Sequence, residues 1–193
     1  MIYNKIKFLG DLEKKEDIEF KKIINKVKKM DKVIAFNSYN ENFILSNMYP
    51  CKINYKGKLF YGVDHLYYCL LYYQHKDIQS KIEKCSGICA NFNAKKIGDS
   101  NTALINEITD SQKINLIKNC IRLKYEQNKH CLDYLLDTED AVLIEHAFWG
   151  DTFWGCVLKD ERYEGENHTG KLLMEIREEL RDKIANINSD SNT

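Results

Sequence analysis

Between Glu145 and Arg177 the chain gathers both of its tryptophans, four of its nine glycines, several acids, an Asn and an Arg, with no long apolar run. That is the profile of a ligand loop rather than of core-forming sequence. Trp149 and Trp154 offer flat faces on which a base or ring can stack, and Glu145 and Asp151 are carboxylates able to hydrogen-bond a sugar or steady a developing positive charge. Further on, Gly165-x-Asn167-x-x-Gly170 opens an amphipathic helix, and small residues with free amides at a helix N-terminus suit a phosphate or carboxylate. Two earlier segments add polar groups. Ser46 and Asn47 stand in LSNMYP (45–50) with the only proline, where they either turn the chain or bond a ribose or base edge. Asp64 and His65 set a carboxylate beside an imidazole at a helix start. The pair serves acid–base chemistry if both face a pocket, while Asp64 alone suits the N-cap. Cys85 and Cys89 with the scattered histidines make no zinc signature, and there is no HExxH, GxSxG or P-loop, so neither metal nor cofactor is expected.

These residues need a scaffold, and the apolar periodicity supplies one. Residues 11–30 read as an amphipathic helix with Phe20, Ile23, Ile24, Val27 and Met30 on one stripe. Val33–Phe36 reads as a strand, and CKINY (51–55) and KLFYGV (58–63) as a hairpin turning at Lys56-Gly57. A helix begins at Asp64 with Tyr67, Leu70 and Leu71 inward, and residues 78–98 hold one or two short helices ending at Gly98. Thr109-x-x-Gln112 is a capping box opening a helix over about 110–128, whose buried stripe is Ile114, Ile117, Ile121 and Tyr125. A short helix over Cys131–Leu136 precedes a buried strand in AVLIEHA (141–147), and a last helix over 169–184 buries Leu173, Ile176, Leu180 and Ile184. The class is α+β: a single helix-rich domain over 33–184 with a few short strands including a hairpin, an N-terminal helical extension over 1–32, and a polar tail over 185–193 expected to fray.

Composition narrows the function. In 193 residues, 29 Lys and Arg balance 29 Asp and Glu, so no broad electrostatic footprint favours a polynucleotide or an acidic lipid surface. The first 32 residues are the exception, ten lysines against six acids leaving +4. No apolar run suits a membrane span or a signal peptide, which leads us to expect a cytoplasmic protein. Seven scattered cysteines, an odd number, read as reduced core thiols.

Taken in order, LSNMYP (45–50), Asp64-His65 with Tyr67, AKKIG (94–98), KYEQN (124–128), LLDTEDAVLIE (135–145), WGDTFWG (149–155) and GENHTGKLLMEIR (165–177) resemble the NADAR or YbiA-like family. The resemblance runs from about Val33 to Leu180. It implies a helix-rich α+β domain that cleaves the bond between ribose C1′ and nitrogen, with a pocket formed by the Ser46-Asn47 segment, the acid at the helix start and the two late segments that hold Gly155 and Gly170. Family activities include hydrolysis of ribosylamine-type intermediates of early riboflavin biosynthesis and removal of ADP-ribose from modified guanine. Three positions depart from the family pattern: Asp64 stands where Glu is usual, Leu71 where a Lys is usual, and Thr109 near a usual Trp.

The expected activity is therefore an N-glycosidase acting on a phosphorylated ribosylamino-heterocycle. Asp64, Glu145 and Asp151 are its candidate catalytic acids, and Ser46, Asn47, Trp149, Trp154, Gly155, Asn167 and Gly170 its candidate substrate contacts. The partner is then a small ribosyl or nucleotide molecule. An ADP-ribosyl-guanine substrate, with nucleic acid as its carrier, and a nucleotide or ADP-ribose binding module without turnover are the alternatives. The first draws on the basic N-terminal segment and the second on the three departures.

Overall fold

The computed structural model describes residues 32–190 of the chain. The amphipathic stripe of residues 11–30 and residues 191–193 lie outside that range. Among the described residues six strands are paired off in three two-stranded sheets, and the helices between them form the body of the domain.

Strand β1 (Val33–Phe36) and strand β4 (Val142–Glu145) run parallel, with Val33 opposite Val142 and Phe36 opposite Glu145. Strands β2 (Ile53–Tyr55) and β3 (Lys58–Phe60) form the expected hairpin, turning through Lys56 and Gly57, both at positive φ. Between the hairpin and β4 lie α1 (Val63–Leu71), α2 (Lys76–Glu83), α3 (Ala90–Asp99), α4 (Asp110–Gln127) and α5 (Lys129–Asp137). Helix α1 is the hub and packs against α2, α3 and α4. Its residues are buried on nearly every side, which is why its sequence is apolar around most of the helix rather than along one stripe.

Helix α4 starts as its sequence predicts. The Thr109 side chain accepts a hydrogen bond from the Gln112 amide and the Gln112 side chain reaches back to the Thr109 amide. Ile117, Ile121 and Tyr125 are buried and Ile114 packs at the edge of the core. Five of the seven cysteines are buried, with Cys85 and Cys89 outside the core, and all seven are free thiols.

Several elements differ from expectation. The helix at the hairpin exit begins at Val63 with Gly62 as its cap residue, so Asp64 is not the N-cap. Residues Val157–Lys159 (β5) and Arg162–Glu164 (β6) form a second hairpin inside the stretch read as loop. Its two turn residues, Asp160 and Glu161, both take positive φ, the geometry of a tight hairpin turn, but without the glycine that signals one in sequence. The last helix, α6 (His168–Asp190), runs on through most of the segment expected to fray, and Ile184 is 37% exposed rather than core.

Helix α6 packs on β4 through its first turn. Gly170 is required there: a Cβ at this position would stand 2.2 Å from the Leu143 carbonyl oxygen. About two turns further along, Arg177 is buried and donates from Nη1 to Thr138 Oγ1 at 2.8 Å and to the Ala141 oxygen at 3.0 Å, fixing the approach to β4. Gly170→Ala is expected to force α6 off β4 and cost more than about 2 kcal/mol. Equilibrium urea unfolding, with an unchanged m-value and a lowered midpoint, is the measurement that checks it.

Candidate active site

A cavity of about 500 Å³ opens where the parallel pair ends, between the segment after β1 and helices α1 and α3. That volume suits a nucleotide-sized ligand. Ser46, Asn47, Asp64, Glu145, Trp149, Asp151 and Trp154 all line it, although they are spread over more than a hundred residues of sequence. Tyr67 and Tyr68 of α1, Lys95 and Lys96 of α3, and Thr169 of α6 complete much of the wall.

Asp64 faces the cavity, and burial pushes its carboxyl up to about 6 against the pull of Lys95 and Lys124. Glu145 ends β4. Burial pushes its carboxyl up to about 7, the Thr169 hydroxyl beside it opposes the rise, and the charges of Asp64 and Asp151 add to it. Among the described residues, Glu145 Oε2 and Thr169 Oγ1 nonetheless lack hydrogen-bond partners, as does Asn47 Oδ1. Buried polar oxygens are rarely left unpaired, and these three all belong to residues of one cavity.

Asp151 organises its own loop. Its Oδ1 accepts from the Phe153 and Trp154 amides at 3.0 and 2.9 Å, which sets Trp154 against Tyr67 and His168. Trp149 is half exposed at the mouth, where Phe148 packs edge-on between it and Tyr39. With Phe92 these rings give the mouth an aromatic rim, suited to stacking a heterocycle.

Three expected contacts stand behind the wall instead. The Asn167 side chain accepts from the Glu145 amide at 3.0 Å and donates to the Leu143 oxygen at 2.9 Å, so its amide is consumed in holding β4. Gly155 lets the loop return against β4, since a Cβ there would stand 2.6 Å from the Glu145 oxygen. Gly170 is packed on Leu143 as described above. The phosphate expected at the N-terminus of α6 therefore finds neither Asn167 nor Gly170 in the cavity lining.

His65 is not an acid–base partner for Asp64. It is fully buried on another face of α1, where Nδ1 accepts from the Tyr61 amide at 3.2 Å and Nε2 lies 2.9 Å from the Ile82 oxygen. Those partners require the neutral tautomer protonated on Nε2, and burial lowers its pKa accordingly. Leu71 is core, 3% exposed and absent from the cavity lining, and Thr109 is the α4 cap.

Two residues that sequence reading passed over hold the site together. Lys124 is 1% exposed, and its Nζ donates to the Ile44 and Ser46 oxygens at 2.6 and 3.0 Å, beneath the Ser46-Asn47 segment. Desolvation pushes its pKa down to about 8. Asn91 accepts from the His65 amide at 2.9 Å and donates to the Met48 and Tyr61 oxygens, joining that segment to the hairpin exit and α1. Lys124 opens the KYEQN segment of the resemblance, and its charge on the otherwise apolar face of α4 is the physical signal of its role. Asn91 carries none.

The fold and the cavity define a small α+β domain with a carboxylate-floored, aromatic-rimmed pocket. A family model described as the NADAR domain matches residues 35–181, and the chain belongs to that family. It is 28% identical over 155 residues to N-glycosidase YbiA of Escherichia coli strain K12, covering 78% of this chain and 89% of that one. An N-glycosidase of Nostoc punctiforme is 27% identical over 140 residues, 72% of this chain and 86% of its own. A riboflavin biosynthesis protein of Vibrio vulnificus is 28% identical over 165 residues, 79% of this chain and 40% of its own. The NMR structure of Escherichia coli YbiA superimposes with a TM-score of 0.69 at 25% identity, over 81% of this chain and 89% of that one.

A carboxyl whose folded pKa exceeds its unfolded value binds protons more tightly when folded, so its contribution is full at low pH and is lost as pH rises through the folded value. For Glu145 the window runs from 4.5 to about 7. Glu145→Gln removes that loss, and its stability relative to wild type is expected to improve by up to about 3 kcal/mol between about pH 4 and about pH 8. Paired denaturation curves at the two pH values read this. Lys124→Met leaves two buried carbonyls without their donor and is expected to cost about 2–4 kcal/mol, read as a lowered unfolding midpoint.

Proposed function

We propose that the protein is an N-glycosidase that hydrolyses the ribose C1′–N bond of a phosphorylated ribosylamino-heterocycle, the chemistry of early riboflavin intermediates. One observation carries the reading: the buried carboxyl of Asp64 and the half-buried Glu145, whose Oε2 is shielded from solvent, meet in one cavity together with the oxygens of Asn47 and Thr169 that have no partner among the described residues. Membership of the NADAR family and likeness to proteins named N-glycosidase support it.

Both carboxyls are pushed up by burial and Asp64 acts on Glu145, so the pair holds a proton near neutral pH and supplies one acid and one base. The protonated carboxyl donates to the departing nitrogen, which takes the electron pair of the broken C1′–N bond. The ionised carboxylate faces the cationic C1′ and takes a proton from the attacking water, whose oxygen completes the free sugar. Asn47 Oδ1 accepts from a ribose hydroxyl. The leaving heterocycle stacks among Trp149, Tyr39 and Phe92.

Purified protein mixed with a ribosylamino-heterocycle 5′-phosphate is expected to release ribose 5-phosphate. Glu145→Gln should lower kcat by about a hundredfold or more. The wild-type rate should fall below about pH 6 and above about pH 7, both limbs belonging to the carboxyl pair. Release by wild type no faster than by Glu145→Gln would refute the reading.

A further inference from the structure

Charge is unevenly distributed around the cavity. Three of its four acids, Asp64, Glu145 and Asp151, come from α1, β4 and the tryptophan loop, whereas both basic side chains of its lining, Lys95 and Lys96, come from α3 together with the fourth acid, Asp99. Lys95 is already engaged, its Nζ 2.9 Å from Asp99 Oδ2 and donating to the Tyr68 hydroxyl at 3.3 Å. Lys96 is exposed at the cavity and forms no ion pair among the described residues. The neighbouring Ser100 adds a hydroxyl to the same wall, at present donating to the Lys96 oxygen.

An anionic group entering this cavity is repelled by the carboxylates, and the positive charges of the lining stand on α3. The helix terminus that would otherwise compete for it is spent on packing, because Asn167 bonds β4 and Gly170 abuts Leu143. We propose that the α3 wall is the phosphate subsite of this enzyme, with Lys96 as its free cation and Lys95 and Ser100 beside it. The sugar then enters with its 5′-phosphate on α3 and C1′ toward Asp64 and Glu145. This rests on the N-glycosidase reading above and adds to it the end of the substrate that charge selects. Lys95, neutralised by Asp99, contributes a donor more than a net charge, which makes Lys96 the residue that discriminates a phosphorylated sugar from an unphosphorylated one.

The test pairs a binding readout with a kinetic one. Ribose 5-phosphate and ribose are titrated into wild type, Lys96→Ala and Lys96→Glu, and hydrolysis of a ribosylamino-heterocycle is followed with and without its 5′-phosphate. Affinity for ribose 5-phosphate is expected to fall about tenfold in Lys96→Ala and further in Lys96→Glu. KM should rise for the phosphorylated substrate alone, and the difference should shrink with added salt. Equal losses for both sugars, no loss in Lys96→Glu, or wild type that binds ribose 5-phosphate no better than ribose overturns the subsite. Lys96-dependent binding of ribose 5-phosphate without release from either glycoside overturns the hydrolytic reading and upholds the subsite. Hydrolysis without Lys96-dependent selectivity does the reverse.

Discussion

The buried ammonium of Lys124 is the charge around which the cavity is assembled. Removing a lysine from water is costly, and here the cost is offset by the carbonyls of Ile44 and Ser46 and by the faces of Tyr49 and Tyr125. Those carbonyls belong to the segment that carries Ser46 and Asn47 into the cavity, so the same bonds that satisfy the lysine fix the wall. Its positive charge also acts on Asp64, restraining the rise that burial imposes on that carboxyl. One side chain of α4 thereby shapes both the geometry and the electrostatics of a site it does not line.

The other supports follow the same logic. Asn91 and Asn167 are buried amides whose donors and acceptors are used on backbone groups, the first beside α1 and the second across β4. With the backbone held this way, the side chains of Asp64 and Glu145 can be left in surroundings that disfavour their charge. A core without function would replace them by apolar residues. Their retention, together with oxygens lacking partners, marks the cavity as a place where packing stability yields to chemistry.

The sequence made much of this architecture legible, where the signal was local. Hydrophobic periodicity and turn chemistry located the Lys56-Gly57 hairpin, the Thr109 capping box and the helices, and the spacing of WGDTFWG pointed to a ligand loop. What stayed hidden depends on long-range partners. Asn167 and Gly170 look like anion-binding residues in sequence, and only the proximity of β4 turns them into packing residues. Asp64 beside His65 reads as a pair, yet adjacent helical positions point about 100° apart, and one faces the cavity while the other faces Ile82. The Asp160-Glu161 turn carries no sequence signal, because neither residue type favours the positive φ that both adopt between the paired strands.

The parallel pairing of β1 with β4 carries a kinetic meaning. It joins residues 33–36 to residues 142–145, and the cavity floor forms only where these strands end. Closing so long a stretch of chain is entropically unfavourable until the intervening helices have compacted it. The chain must therefore close this long loop before Asp64, on α1, and Glu145, at the end of β4, can face one cavity.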